Sequence, residues 1–243
     1  MSDPNQTLAQ MIRYFEEERH EMVEVMASEF TSMLLANKQR DGATQTLLVK
    51  GVRILAEVLS IRGKSKLAIQ ATSVLLRERK KLEKILAKTA PTLLSKLTPI
   101  EQDYRTIGSV FAKAGKTSKA KKFFLKAHKE TQGNIAALVA ACQIDGLKTK
   151  LCKTLALAVQ SAGPVILENG AYHLKPEHAP GSQIDPVLAI LETCSSKYGE
   201  CAEQAQRIRK ECDEIANGIQ AANERLQSAM DSLKPKHDYY QYS

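Results

Sequence analysis

A seven-residue spacing of apolar side chains runs through the C-terminal part of the chain. From Val187 to Leu233 the steps alternate between four and three residues. The positions are Val187, Leu191, Cys194, Tyr198, Cys201, Ala205, Ile208, Cys212, Ile215, Ile219, Ala222, Leu226, Ala229 and Leu233. The residues between them are mostly polar. A period of 3.5 residues places these side chains in one narrow stripe and predicts a helix that supercoils with a neighbouring helix.

The ends of this segment carry helix start and stop signals. Asp185 and Pro186 are typical of a first helical turn, and Lys234 with Pro235 is typical of the end. A single helix over 186–233 would be about 70 Å long. A compact domain of this size is about 35–40 Å across. The spacing therefore predicts an elongated molecule, or a helix that pairs with a second chain.

The remaining sequence predicts further helices. An amphipathic helix is expected over residues 5–38, and breaks follow at 40–42 and at Thr98 and Pro99. Two long helices are expected over 43–97, with a kink at Pro91, and over 99–160. Asn169 and Gly170 permit a small β-hairpin, but an isolated hairpin is marginal, so residues 161–185 are predicted to form a loop.

Together these segments predict an all-α fold. We expect an elongated antiparallel three-helix coiled-coil bundle, preceded by an N-terminal amphipathic helix and dimeric. The expected domains are an N-terminal helix at 1–41, a three-helix body at 42–234 with the loop at 161–185, and a flexible tail at 235–243.

Composition excludes several classes of protein. Apolar residues make up 43% and charged residues 26% of the chain, which is typical of a folded protein. No apolar run approaches the roughly 20 residues that span a bilayer, and the N-terminus has no signal-peptide pattern. Five cysteines without a framework spacing indicate reduced thiols and a cytoplasmic location. Cys194, Cys201 and Cys212 lie too far apart on one helix to bond with each other.

Positive charge is concentrated in one stretch. Residues 41–129 carry twenty basic and six acidic side chains, whereas the segments on either side are net acidic. Such a run favours an anionic partner over a merely solvated surface, because stability alone would intersperse glutamates. The expected contact residues are Lys80, Lys81, Lys84, Lys88, Lys113, Lys116, Lys119, Lys121, Lys122, Lys126 and Lys129. In a helical hairpin that turns near Pro99, the two groups of lysines would run side by side.

The sequence does not complete any of the motifs for catalysis or cofactor binding that it partly resembles. The tripeptides at 63–65 and 115–117 resemble the end of a phosphate-binding loop, but Val58 and Val110 stand where that loop needs glycine. His173 and His178 match no zinc spacing. We therefore predict no enzyme activity, no cofactor and no metal.

The pattern resembles the BAR-domain family. The resemblance is carried by three long helices, the kink at Pro91, the preceding amphipathic helix and residues 107–113, which lead into the lysine run. The segment from Arg40 to Glu130 is similar to the small BAR proteins that associate with the Chibby family. This resemblance implies a curved homodimer that places the lysines of residues 113–129 on anionic lipid headgroups.

Three hypotheses for function remain at this point. The first is a peripheral membrane scaffold that senses or stabilises curvature through its lysines, which suit diffuse headgroups. The second is a coiled-coil adaptor that docks a protein partner through the N-terminal helix, with Met22, Met26 and Phe30 as contacts. The third is a nucleocapsid-like protein that packages nucleic acid, which the scarcity of arginine and aromatic residues disfavours.

Overall fold

The computed structural model describes residues 3–130, 135–145, 149–162, 165–168, 171–174, 184–195 and 199–233. These residues are predominantly helical, which confirms the all-α prediction, with one two-stranded sheet. The chain divides into two compact units, residues 1–151 and residues 152–243. The predicted tail at 235–243 lies outside the described residues.

The first unit contains successive antiparallel helices. Its elements are α1 (Pro4–Glu16), α2 (His20–Ala36), α3 (Gly42–Ile61), α4 (Ser65–Thr89), a 3-10 helix (Pro91–Lys96), α5 (Ile100–Lys113), α6 (Thr117–Glu130) and α7 (Ile135–Asp145). Helices α1 and α2 pack together and both contact α3, α3 packs against α4, and α5 packs against α6. The predicted break before α3 is confirmed, since the carboxylate of Asp41 caps this helix by accepting a hydrogen bond from the Thr44 amide at 2.8 Å.

Three of the connections share one turn geometry. After α3 the Lys64 amide donates to the Leu59 carbonyl, and after α5 the Lys116 amide donates to the Phe111 carbonyl, both at 2.8 Å. Gly63 and Gly115 precede these donors and adopt φ values of +74° and +71°. After α1 the Arg19 amide reaches back five residues in the same way. This left-handed C-terminal cap ends one helix and reverses the chain within three residues.

The helical hairpins α3–α4 and α5–α6 are copies of one design, displaced by 52 residues. Each hairpin buries a small residue on its first helix. The turn glycine comes seven residues after that small residue, and a buried alanine on the second helix comes twelve residues after it. The corresponding pairs are Ala56 and Gly108, Gly63 and Gly115, and Ala68 and Ala120. At Gly108 an added Cβ would lie 2.9 Å from the Phe124 ring, so the glycine permits α5 and α6 to approach closely.

The predicted long helices of this unit are therefore wrong. The span 5–38 is two helices, because the chain reverses around Glu18. The spans 43–97 and 99–160 are each divided into several helices, because Gly63 and Gly115 take left-handed conformations that no continuous helix contains. At Pro91 the chain ends α4 and enters the 3-10 helix instead of kinking, and Thr98 makes no side-chain cap.

The second unit begins within helix α8 (Thr149–Ala162). It continues with β1 (Val165–Glu168), β2 (Ala171–Leu174), α9 (Ile184–Ser195) and α10 (Gly199–Leu233). The strands pair antiparallel, with Val165 opposite Leu174 and Glu168 opposite Ala171. The prediction of a loop without strands at 161–185 is wrong, because the hairpin is not isolated: β1 packs against α10 and β2 against α9.

The predicted single helix over 186–233 is also wrong. Helix α9 ends at Ser195, α10 begins at Gly199, and the two pack against each other. Arg209 on α10 forms an ion pair with Glu192 on α9. The stripe residues Leu191 and Ile208 are both buried. The first half of the seven-residue pattern thus forms the core of a helical hairpin, while only α10 continues as a long helix.

Two of the cysteines form a disulfide. Cys152 on α8 is bonded to Cys194 on α9, with their Cα atoms 6.3 Å apart. The prediction that all five thiols are reduced is wrong for this pair, because folding brings together two cysteines that are 42 residues apart in the sequence. Cys142 and Cys201 are buried thiols, and Cys212 is half-buried.

A buried carboxylate joins α3 to α4. Glu78 has no exposed side-chain surface and forms ion pairs with Arg40, Arg77 and Lys81 at 2.8–3.2 Å. The Gln45 amide also donates to it, at 3.1 Å. Burial opposes ionisation, but these donors outweigh it and lower the pKa of Glu78 to about 2. The charged form of Glu78 is therefore part of the folded core.

Exchanging residues at the turns tests the repeated cap. We expect Glu18→Gly to stabilise the protein by about 1 kcal/mol, because Glu18 has a φ of 57° that glycine adopts without strain. Gly63→Ala should destabilise it by a similar amount. Urea unfolding of both variants measures these changes. The matched control is Gly218→Ala within α10, where alanine meets nothing within 4 Å and should be neutral or stabilising. Equal effects of Gly63→Ala and Gly218→Ala would contradict the cap.

Acid titration tests the buried carboxylate. Since the pKa of Glu78 is lowered from 4.5 to about 2, its contribution is complete above pH 4.5 and is lost as the pH falls toward 2. That contribution is about 3 kcal/mol. Urea unfolding of the wild type and of Glu78→Gln should therefore differ most at pH 7 and converge near pH 2. Glu29→Gln, at an exposed site on α2, is the control. A difference that does not change with pH would contradict this assignment.

Candidate functional site

A groove runs along the first helices of the hairpins in the first unit. It has a volume of about 390 Å³, which is within the range of ligand-binding pockets. Its lining side chains all come from α1, α3 and α5: Phe15, Arg53, Glu57, Ser60, Ile61, Gln102, Arg105, Thr106, Ser109, Val110 and Lys113. The groove is therefore a consequence of the repeat, since α3 and α5 are the equivalent helices of two hairpins that pack against each other.

The repeat places cations at equivalent positions. Arg53 on α3 and Arg105 on α5 are separated by the repeat offset of 52 residues, and both line the groove. Lys113, at the end of α5, stands where α3 has Ile61. Two arginines and a lysine thus face a pocket in which, among the lining residues that the structure describes, Glu57 carries the one carboxyl group.

Asp103 holds one of these cations in place. Its carboxylate is fully buried and accepts a hydrogen bond from Arg53 Nε at 2.8 Å and one from Arg79 Nη1 at 3.2 Å. Arg79 also donates to the Thr98 carbonyl at 2.7 Å. Since these residues belong to α3, α4 and the start of α5, the ion pairs fix the α3–α4 hairpin against the α5–α6 hairpin. Arg53 therefore lies in the groove with little freedom to move.

Glu57 is the acidic group of the groove. The Thr106 hydroxyl donates a hydrogen bond to its carboxyl oxygen at 2.5 Å. Burial raises the pKa of Glu57, against the opposing effects of this hydrogen bond and of the charges on Arg53 and Lys113. An incoming anion therefore meets a carboxyl group that takes up a proton more readily than an exposed glutamate does.

The other cations are accessible. Arg105 is about half exposed and contacts Glu101 at 3.4 Å, and Lys113 is exposed. Phe15, Ile61 and Val110 supply apolar walls beside them. Among the residues that the structure describes, no cluster of three histidine, cysteine or acidic side chains is suited to a metal. Cations beside apolar walls and hydroxyl groups are suited to binding a ligand that is both anionic and apolar.

The lysines predicted from the sequence are placed differently. Lys113 lines the groove, and Lys116 lies in the turn after α5. Helix α6 carries Lys119, Lys121, Lys122, Lys126 and Lys129, and helix α4 carries Lys80, Lys81, Lys84 and Lys88. All are exposed except Lys121, which is half-buried. The prediction that the α4 and α6 groups run side by side is wrong, because the turn near Pro99 leads α4 into α5, and α5 packs against both helices.

The lysines of α6 form an exposed charged face. Among the described side chains, no carboxylate lies within 4.0 Å of Lys119, Lys122 or Lys126. The ammonium groups of Lys119 and Lys126 lie 5.6 Å from the Phe111 ring and 5.3 Å from the Phe123 ring, respectively. Their stems therefore cover aromatic surface while their charges remain in solvent.

The methionine face predicted for a partner is partly internal. Phe30 is buried in the core, and Met26 packs against that core while half-buried. Met22 is exposed. The apolar spacing on α2 therefore arises mainly because this helix packs against the core of its own chain.

The groove was not predicted from the sequence, although a repeated tripeptide in the sequence pointed to it. The two tripeptides that resemble phosphate-binding loops, at 63–65 and 115–117, are the corresponding turns of two hairpins. Their separation of 52 residues is the repeat offset. A search for self-similarity would have placed Arg53 and Arg105 at equivalent positions.

Comparison with known proteins finds no matching family model, no similar curated protein and no similar solved structure. Within the part of the chain that the structure describes, no helix is sufficiently long and apolar to cross a bilayer.

Proposed function

We propose that the first unit is a protein-interaction module that binds an acidic segment of a partner protein in the groove between α3 and α5. The observation that carries this proposal is the set of three cations, Arg53, Arg105 and Lys113, beside apolar walls. Charges across an interface set specificity and association rate, and apolar contacts supply affinity. A segment that alternates acidic and apolar residues matches both features.

The rigidity of the groove also supports the proposal. Arg53 is held by its ion pair with Asp103. Its Nη1 also donates a hydrogen bond to the side-chain oxygen of Gln102, at 3.3 Å. A cation that is already fixed loses little conformational entropy when an anion binds. Arg105 and Lys113 are more exposed and can adjust to the ligand, so specificity and adaptability come from different residues.

Charge reversal in the groove tests this function. The probe is a fluorescein-labelled peptide that alternates leucine with glutamate and aspartate, and the control peptide has glutamine and asparagine in their places. We expect Arg105→Glu with Lys113→Glu to weaken binding of the acidic peptide at least tenfold by fluorescence anisotropy, because two attractions become repulsions. Neither side chain holds the core, so circular dichroism should be unchanged.

The matched control is Lys119→Glu with Lys122→Glu on α6, which changes the net charge equally. This variant should bind the peptide within about threefold of the wild type after allowance for long-range charge effects. Equal binding of the acidic and neutral peptides, or equal losses in the two variants, would contradict a role for the groove.

A second candidate function is binding to anionic lipid headgroups through the lysine face of α6. The exposure of Lys119, Lys122 and Lys126, without a described carboxylate beside them, favours it. Each lysine near an anionic bilayer contributes about 1 kcal/mol. Curvature sensing, as the BAR resemblance implies, would be a further property of this surface.

Liposome cosedimentation tests the second candidate. Vesicles that contain phosphatidylserine should bind the wild type and release it as salt is raised, and Lys119→Glu with Lys122→Glu and Lys126→Glu should abolish binding. The groove variant with Arg105→Glu and Lys113→Glu should retain most of it. Unchanged sedimentation of the triple variant would remove this candidate and leave the peptide proposal unaffected.

A further inference from the structure

Helix α10 extends beyond the core of its own unit. In its first part, Cys201, Ala205 and Ile208 are buried. Farther along the same side, Ile219 is 40% exposed, Leu226 is 61% exposed and Met230 is 54% exposed. Large apolar side chains that remain exposed along one line of a helix are typical of an interaction surface.

The exposed part keeps the coiled-coil spacing. Ile219, Ala222, Leu226 and Ala229 follow the alternation of three and four residues that begins at Val187. All four are exposed. A helix that needed only solubility would carry polar residues at these positions, so the pattern indicates a second helix that packs along the stripe.

The stripe is complementary to itself in one direction. If a second copy of α10 lies antiparallel across a two-fold axis near Glu224, Ile219 faces Ala229 of that copy and Ala222 faces its Leu226. Each layer then combines one large and one small side chain, which gives close packing. A parallel arrangement would place alanine opposite alanine in every second layer and leave cavities.

The surroundings of the stripe fit the same arrangement. Leu167 on β1 is 40% exposed and lines a shallow pocket with Ala216 and Ile219, so the hairpin widens the apolar surface. Arg225 lies one residue from the two-fold axis, so the Arg225 positions of the two copies are about 3 Å apart along the helices.

We propose that two copies of this chain associate through residues 216–230 of α10 as an antiparallel pair of helices. The surface is small, since it comprises about four turns of one helix. Interfaces below about 1,200 Å² are typical of transient contacts. We therefore expect a dissociation constant on the order of tens of micromolar, with dimers at high concentration and monomers on dilution.

Sedimentation equilibrium of the full chain tests the association. The wild type should be dimeric at high concentration, and Leu226→Glu should be monomeric, because two carboxylates would enter the seam. Leu226 is exposed, so this variant should fold, and circular dichroism checks that it does. Ser228→Glu, on the exposed opposite side, is the control and should dimerise. A monomeric wild type, or a dimeric Leu226→Glu variant, would overturn the proposal.

Cysteine cross-linking tests the direction. In a Cys212→Ser background, Arg225→Cys should cross-link to its own copy with a short bismaleimide, because the antiparallel register brings these positions together. Ala229→Cys should not, since its copies would lie about 15 Å apart along the axis. Efficient cross-linking at Ala229→Cys alone would show a parallel pair and overturn the proposed arrangement.

Discussion

The ion pairs of the Asp103 carboxylate with Arg53 and Arg79 are the interactions on which the first unit most depends. This carboxylate is buried between Arg53 and Arg79, which belong to successive helices of one hairpin, while Asp103 opens the next hairpin. Removing one partner of such a pair leaves a buried charge uncompensated, at a cost of about 3–5 kcal/mol. The same ion pairs position Arg53 in the groove. The stability of the repeat and the placement of a ligand-facing cation therefore have one cause.

The left-handed helix caps determine where that groove lies. Because Gly63 and Gly115 reverse the chain within a few residues, each hairpin presents its first helix on the same side as the others. Glu18 makes the same turn without glycine, so the geometry is not merely a property of one residue type. What differs between the hairpins is the chemistry of exposed positions, such as Lys113 on α5 where α3 has Ile61. Specificity can thus change without a change of fold.

The sequence predicted the helical class correctly because spacing and propensity are local properties. It predicted continuous helices wrongly, because the residues that divide them were read as weak points instead of turns. The seven-residue stripe contained both a helical hairpin, with Leu191 and Ile208 in its core, and an exposed extension beyond Ile215. Spacing alone does not distinguish a stripe covered by its own chain from one that remains exposed. The groove was missed because its residues on α3 and α5 are 41–60 positions apart in the sequence and meet only after the hairpins pack.

Hydrogen–deuterium exchange of the full chain, with and without the acidic peptide, shows whether the groove between α3 and α5 is the binding site. The peptide should slow exchange in α3 and α5, at residues 53–61 and 102–113, and leave α6 and α10 unchanged. The neutral peptide should have no effect at the same concentration. Protection on the lysine face of α6 without protection of α3 and α5, or no protection at any peptide concentration, would contradict the assignment of the groove as the binding site.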